Sequence, residues 1–312
     1  MNIRHFQKGD EFEQLKIYNT AAASQHRFKP ASFVDLQRRI QARDFDVATR
    51  WYAVENDAVV GYCTWQANGR VSYPWCLPGH ESAAEPLFKQ TIHSMQQRGV
   101  QKAFTAYRKD WPTITDFFVT QGFAQIREMV NYVLRFENLP TASSRVGNMI
   151  TPATPEDVPA IYALDPSVFR VGSAEALKKE LWENPYFAPT SVYVMRGRGD
   201  TTPVAAGIFI TNSDYADARA VDPAMPCFRL GAFGTEGLTT KRIKGLFSFV
   251  ARPDRAVHIG MDMLGHAANL LTDDDEILCY AAQVATDAPA LHAFYEKVFE
   301  RQGSFPVLEK TL

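Results

Sequence analysis

The stretch Val250-Ala-Arg-Pro-Asp-Arg255-Ala-Val-His258-Ile-Gly260-Met-Asp-Met-Leu264 lies between a segment rich in Phe, Leu and Val, which reads as a strand, and a helix expected to begin near Gly260. A turn from strand into helix is a place where an anion can bind. The first backbone N–H groups of a helix have no internal partners, and the macrodipole adds partial positive charge. Gly260 would let a phosphate approach, and Arg255 would add a charged donor. The plainer alternative makes Arg255 a solvated turn residue and Gly260 mere punctuation. A second segment, Asp287-Ala-Pro-Ala-Leu-His292-Ala-Phe294-Tyr295-Glu296-Lys297-Val298, reads as an amphipathic helix, on which Tyr295 taken alone would be a packing residue. Other constellations are weaker. His80, His93 and His258 come from separate segments without an HExxH or Cys/His cluster, so no metal site is expected. No GxSxG elbow or GxxxxGK[ST] loop occurs, which argues against serine hydrolase and P-loop ATPase chemistry. Gly231-Ala-Phe-Gly234-Thr-Glu236-Gly237 lacks GxGxxG spacing and reads as a turn.

The elements that would position these groups fall into two similar halves. A chain of 312 residues has room for two folding units. A seam runs from Glu137 to Met149, where ENLPTASSRVGNM interrupts the hydrophobic patterning; we therefore expect domains at 1–140 and 149–312 joined by a linker at 141–148. Each half reads as strand, helix and hairpin. The first hairpin turns at Asn56 and Asp57. Each half continues with a strand (GRVSYPWCL; KRIKGLFSFVA), a helix (EPLFKQTIHSMQQRG; GMDMLGHAANLLTDD), a strand (KAFTAY; EILCYAAQVA) and a last helix (PTITDFFVTQG; APALHAFYEKVF). This suggests an internal duplication of the α/β (α+β) class. The halves differ in two places. Residues 211–240 are an insertion in the second, and GFAQIREMVNYVLRFE after the first half's last helix is long enough for two strands, against only RQGSFPVLEKTL in the second. The second sheet is thus expected to be short, or completed from elsewhere in the chain.

Composition bounds the function. Hydrophobic residues at 46% and charged residues at 22% mark an ordinary globular protein. Lys plus Arg at 33 against Asp plus Glu at 35, a net charge of -2, implies no large basic surface for nucleic acid. The first residues, MNIRHFQKGDEFEQ, have no apolar signal-type segment, and no run approaches a membrane span, so a cytoplasmic protein without membrane or nucleic-acid partners is expected. Cys63, Cys76, Cys227 and Cys279 are scattered without CxxC spacing and read as small buried hydrophobes.

Arg255-Ala-Val-His258-Ile-Gly260 resembles the acyl-CoA loop of the GNAT N-acetyltransferase superfamily, whose pattern after the fourth strand is Q/R-x-x-G-x-G/A; His258 departs from it at the first glycine. Asp287 to Val298 is similar to the family's N-x-x-A-x-x-x-Y-E-K-x-G-F helix, with Asp287 one residue out of register and Phe299-Glu300 in place of Gly-Phe. The resemblance implies two GNAT-like domains in tandem, each a twisted mixed β-sheet flanked by helices. It implies acetyl-CoA as cosubstrate, no metal, and a small-molecule or peptide amine as acceptor. The cofactor contacts it implies are Phe249, Val250, Arg255, Ala256, Val257, His258, Ile259, Gly260 and Met261. It also implies direct attack by a deprotonated amine, a backbone N–H near Phe249 or Val250 polarising the carbonyl, and Tyr295 protonating the departing thiolate. Asp222 and Glu236 are candidates for a general base, beside a water chain. In the first half the matching loop, Cys76 to Leu87, has no Arg or Lys and carries Glu81 and Glu85, which would repel a phosphate, and Phe118 stands where the tyrosine should be. That half is expected to be degenerate, structural or substrate-contacting, with Tyr107 a possible substitute donor. The alternative reading is a non-catalytic acyl-CoA-binding or protein-interaction module.

Overall fold

The computed structural model describes residues 1–41, 45–139, 149–169, 171–183, 188–197, 199–211, 243–271 and 277–312. The expected linker at 141–148 lies outside the described residues, as do Asp222, Cys227, Glu236 and the rest of the insertion beyond residue 211. Contacts divide the chain into two compact units: Met1–Arg127 with Phe305–Leu312, and Glu128–Ser304. This division differs from the seam read in the sequence because the last strand of each repeat is built into the other unit.

In the first unit the order is β1 (Asn2–His5), α1 (Asp10–Ala21), α2 (Phe33–Ile40), β2 (Arg50–Glu55), β3 (Ala58–Thr64), β4 (Trp75–Cys76), α3 (Ala84–Gln97), β5 (Lys102–Ala106) and α4 (Pro112–Thr120). Strands β1 to β4 form one sheet in chain order. Asn56 and Asp57 close the β2–β3 hairpin with φ of 49° and 63°, the left-handed pair that a two-residue turn requires. β5 takes its partner from the far end of the chain. Val307 to Thr311 pair antiparallel with Ala106 to Lys102, and Leu308 is buried in the first unit's core beside Phe88 and Phe118.

The second repeat runs β6 (Ala124–Arg135), β7 (Ile150–Pro152), α5 (Val158–Leu164), α6 (Pro166–Phe169), α7 (Ala174–Trp182), β8 (Val192–Arg196), β9 (Pro203–Ile210), β10 (Ile243–Ala251), α8 (Ala256–Asn269), β11 (Ile277–Ala285), α9 (Pro289–Val298) and β12 (Glu300–Thr311). Its strands lie in the order β6-β11-β10-β9-β8-β7. β6 is a single strand of 12 residues rather than the two strands its length suggested. Its residues Met129 to Arg135 pair antiparallel with Ala285 to Cys279, so the second sheet is completed from elsewhere in the chain, one of the two outcomes expected from the sequence. Pairing is mixed, with β10 and β11 parallel and the other described pairs of this sheet antiparallel.

The second unit has a core on each face of its sheet. One face packs Phe247, Phe249, Tyr280 and Tyr132 against α8 and α9. The other packs Val194, Ile208 and Val250 against α5 to α7. Alternation along β10 explains the split, since successive side chains of a strand point to opposite faces. Helix α5 is announced by a capping box: Thr154 N–H donates to the Asp157 carboxylate at 2.9 Å, with Pro155 opening the preceding turn. No helix among the described residues is long and apolar enough to cross a membrane.

Candidate active site

The site begins where two strands part. β10 pairs with β11 only from Ile243 to Leu246, the last partners being Leu246 and Ala281. Beyond that point β10 continues against β9 to Ala251, and β11 continues against β6 to Ala285. Among the described residues, each strand therefore has a strand neighbour on one side only from Phe247 and Ala282 onward. The backbone groups facing the gap need other partners, because a buried N–H or C=O left unpaired is costly.

Tyr295, on α9, supplies such a partner. Its side chain is 1% exposed. Its hydroxyl donates to the Phe247 carbonyl at 3.4 Å, and Phe249 N–H and the Ser248 side chain meet the same oxygen. Burial is the main cause that pushes this phenol well above the ordinary value of 10.0, opposed by those two hydrogen bonds, so it stays protonated at neutral pH. The ring lies within a cluster of aromatics, 5.1 Å from Phe294, 5.0 Å from Phe299 and 5.6 Å from Tyr132, the last nearly parallel at 24°. Tyr132 is itself hydrogen bonded to Glu296 at 2.6 Å. The exchanged strand β6 thus braces the site, which no local motif in the sequence announces.

The loop after β10 winds early. Arg255 N–H donates to the Arg252 carbonyl at 3.1 Å, a 3-10 turn spans Pro253–Arg255, and α8 begins at Ala256, not near Gly260 as the sequence suggested. Pro253 explains the early start, since its fixed φ suits the first helical position. Gly260 is consequently inside the second turn and buried. A Cβ there would stand 2.6 Å from Phe249 Cζ and 2.7 Å from Phe294 Cδ2, so its missing side chain lets α8 lie close to the aromatic core.

The other expected cofactor contacts separate into two groups. Phe249, Val250, Ala256 and Ile259 are buried, leaving only backbone atoms to offer. Arg255, His258 and Met261 are exposed and Val257 is half-buried. Val257 and His258 occupy the first turn of α8, whose N–H groups have no partner within that helix. Arg255 is a loose partner of Asp254 at 4.0 Å, and Arg252, a cation that the sequence reading passed over, is 3.6 Å from the same carboxylate. Its signal was its place three residues before Arg255. Among the described residues no group of three His, Cys, Asp or Glu is placed to hold a metal ion.

The first unit has a related parting with different groups. Phe104 N–H donates to the Gly69 carbonyl and Val71 N–H to the Phe104 carbonyl, both at 2.9 Å, but β4 further on pairs with β3 and, among the described residues, not with β5. Tyr73 N–H donates to the Tyr107 hydroxyl at 2.7 Å, and burial raises the Tyr107 phenol. Phe118 is fully buried. At the start of the helical segment Gly79 N–H already donates to the Glu81 carboxylate at 3.0 Å, and hydrogen bonds from the backbone of Glu81 and Gly79 lower that carboxyl. The Gly79 N–H, just ahead of that turn, is thus taken by a carboxylate of the chain itself.

No protein-family model matches the chain, and no curated protein matches its sequence. Its fold does have likenesses among solved structures. A GCN5-related N-acetyltransferase from Sphaerobacter thermophilus is similar over 99% of this chain and 95% of its own, with 12% identity and a TM-score of 0.62. A tandem GNAT protein from the clavulanic acid biosynthesis pathway is similar over 99% and 98%, with 12% identity and a TM-score of 0.56. A GNAT-family acetyltransferase from Colwellia psychrerythraea covers 100% of both chains at 12% identity and a TM-score of 0.50. The chain therefore has the fold of the GNAT acetyltransferases along its length, in the mixed α/β class the sequence implied.

Proposed function

We propose that this protein is a CoA-dependent N-acyltransferase that moves an acetyl group from acetyl-CoA to a primary amine, with the chemistry in the second unit. The observation that carries the reading is the parting of β10 from β11 after Leu246 and Ala281, with the Tyr295 hydroxyl on the freed edge. The acetyltransferase fold of the neighbours supports it. In this reading the pyrophosphate rests on the first-turn N–H groups of Val257 and His258, with Arg255 and Arg252 as exposed cations beside it. The thioester enters the gap and its carbonyl oxygen takes the place of the Tyr295 hydroxyl as acceptor for Phe249 N–H, which frees that hydroxyl to face the sulfur.

The amine attacks unprotonated. Its nitrogen forms a C–N bond to the thioester carbon, the C–S bond breaks, and the excess proton on nitrogen leaves to solvent. Tyr295, held protonated by burial, gives its proton to the departing thiolate and regains one from solvent. The near-complete burial of Tyr295 favours a second reading, a module that binds acyl-CoA without turnover and uses this ring only for packing.

Calorimetric titration of acetyl-CoA into the wild type and Arg255→Glu tests the proposal. One-site binding, weakened about tenfold or more by charge reversal, is expected. Absence of binding by the wild type would overturn it, and binding without turnover across a broad amine panel would favour the second reading.

A further inference from the structure

The face of the second sheet that carries Val250 holds a polar pair outside the groups used above. Asn131 on β6 and Gln283 on β11 are direct partners across the ladder and share this face, and Gln283 Nε2 donates to Asn131 Oδ1 at 2.7 Å. Asn131 is 2% exposed, and its buried Nδ2 has no hydrogen-bond partner among the described residues. A buried amide NH2 without an acceptor is exceptional, and it calls for an oxygen that the described residues do not supply. The pair also stands at a telling register. Gln283 is two residues beyond Ala281, where β11 loses β10, and Ser248 is two residues beyond Leu246 on β10. Small side chains, Ala281 and Ala285, flank Gln283 on the same face.

We infer that Asn131 and Gln283 form a subsite for the acceptor amine, selecting one that carries a neutral carbonyl oxygen about one aminoacyl unit from its nitrogen. This rests on the acyltransferase reading, which puts the thioester between β10 and β11. Paired strands are about 4.8 Å apart and β10 has parted from β11 here, so Asn131, two strands over, stands at least roughly 10 Å from β10. An attack distance of about 3 Å and a hydrogen bond of about 2.9 Å leave at least about 4 Å of ligand between nitrogen and oxygen. One aminoacyl unit, at about 3.8 Å, is the shortest spacer of that length. Two uncharged amides suit a carbonyl better than a carboxylate, whose burial needs a paired cation. The exchanged strand would then bring a residue of the first repeat into the second repeat's site.

The test compares alaninamide, isopropylamine and alanine as acceptors in the wild type and Asn131→Leu, with kcat/KM expressed per unprotonated amine and acetyl-CoA affinity measured in parallel. The wild type is expected to prefer alaninamide over isopropylamine by about tenfold or more, and Asn131→Leu to lose that preference while its acetyl-CoA affinity holds. No preference in the wild type, a preference that survives in Asn131→Leu, or alanine as the better substrate would each overturn the inference. Should acetyl-CoA fail to bind, the acyltransferase reading falls, and the subsite is then judged without turnover. The Asn131 side-chain ¹⁵N–H₂ resonances of the wild type are followed during titration with alaninamide and with isopropylamine. A shift with alaninamide alone supports the subsite. Equal responses, or none because only a trapped water sits there, overturn it, and this measurement also decides the matter if Asn131→Leu does not fold.

Discussion

Tyr295→Phe separates the two parts assigned to one hydroxyl. The ring is buried among Phe247, Phe249, Phe294 and Phe299, so phenylalanine fills the same space and the aromatic packing survives. What disappears is the partner of the Phe247 carbonyl and of the Phe249 N–H. The bond to the carbonyl is long, at 3.4 Å, so its own loss is small. Leaving buried backbone groups unsatisfied is the larger effect, about 1–3 kcal/mol, or about 2–4 °C in Tm for each kcal/mol in a unit of this size. The pH dependence has a defined sign. The unfolded phenol ionises near 10.0, while the folded one is held protonated by burial. Stability from this group is therefore full below about pH 10 and lost as pH rises further. The variant should show a shallower alkaline fall in chemical denaturation across pH 9–11, only partly so because Tyr132 and Tyr280 are raised as well. If Tyr295 is also the proton donor, kcat drops about 10²- to 10⁴-fold with little change in the KM for acetyl-CoA. Unchanged kcat refutes the donor assignment. Unchanged stability together with an unchanged alkaline slope refutes the claim that the hydroxyl satisfies the freed edge of β10.

Gly260→Ala should destabilise the second unit by about 1 kcal/mol net, because overpacking against Phe249 and Phe294 (about 1–3 kcal/mol) exceeds the helix-propensity gain of about 1 kcal/mol; a gain in stability on urea denaturation would mean that the helix does not press on those rings. Leu308→Ala should cost about 2–5 kcal/mol and do so in the first unit. Hydrogen exchange is expected to rise in β5 and α4 before β8 to β10, and the reverse order would contradict the strand exchange. Asp110 is drawn down to about 2: burial raises it, but hydrogen bonds from Arg108 and His26 outweigh that. Its contribution is therefore present above the ordinary 3.8 and lost as pH falls through about 2. With the side chain 38% exposed, we expect at most about 1 kcal/mol, measured as a flatter acid-unfolding profile in Asp110→Asn between pH 4 and 2.

Local rules made much of this fold legible. The Asn56-Asp57 hairpin, the Thr154–Asp157 cap and the helix at Pro289–Val298 each follow from a short signal whose physics is complete within a few residues. The helices at Phe33–Ile40 and Ala174–Trp182 escaped the sequence reading, although Ser173 caps the second by accepting from Ala176 N–H at 3.1 Å. Where the information is not local, the sequence misleads. Gly260 looked like a loop glycine because spacing does not reveal that helical winding begins at Pro253, or that two phenylalanines distant in sequence press against its Cα. The exchange of β6 and β12 was legible only as an imbalance in length between the two halves.

The site depends on that exchange. In the first unit Tyr107 meets the freed backbone at Tyr73, and in the second Tyr295 meets it at Phe247 and Phe249, so each parting of strands is answered by a buried phenol from a different element. The need is set by the backbone and not by one side chain, which explains how Phe118 can stand at the expected tyrosine position without leaving that edge unpaired. In the first repeat the Glu81 carboxylate accepts from Gly79 N–H just ahead of the helical segment, whereas the second presents Arg252, Arg255 and His258 around its helix start. The first repeat instead contributes β6, whose Tyr132 stacks on Tyr295 and whose Asn131 faces the other side of the same sheet. In the proposed reading the exchanged strand furnishes both faces of the second unit's sheet, which gives the first repeat a part in the site through Tyr132 and Asn131.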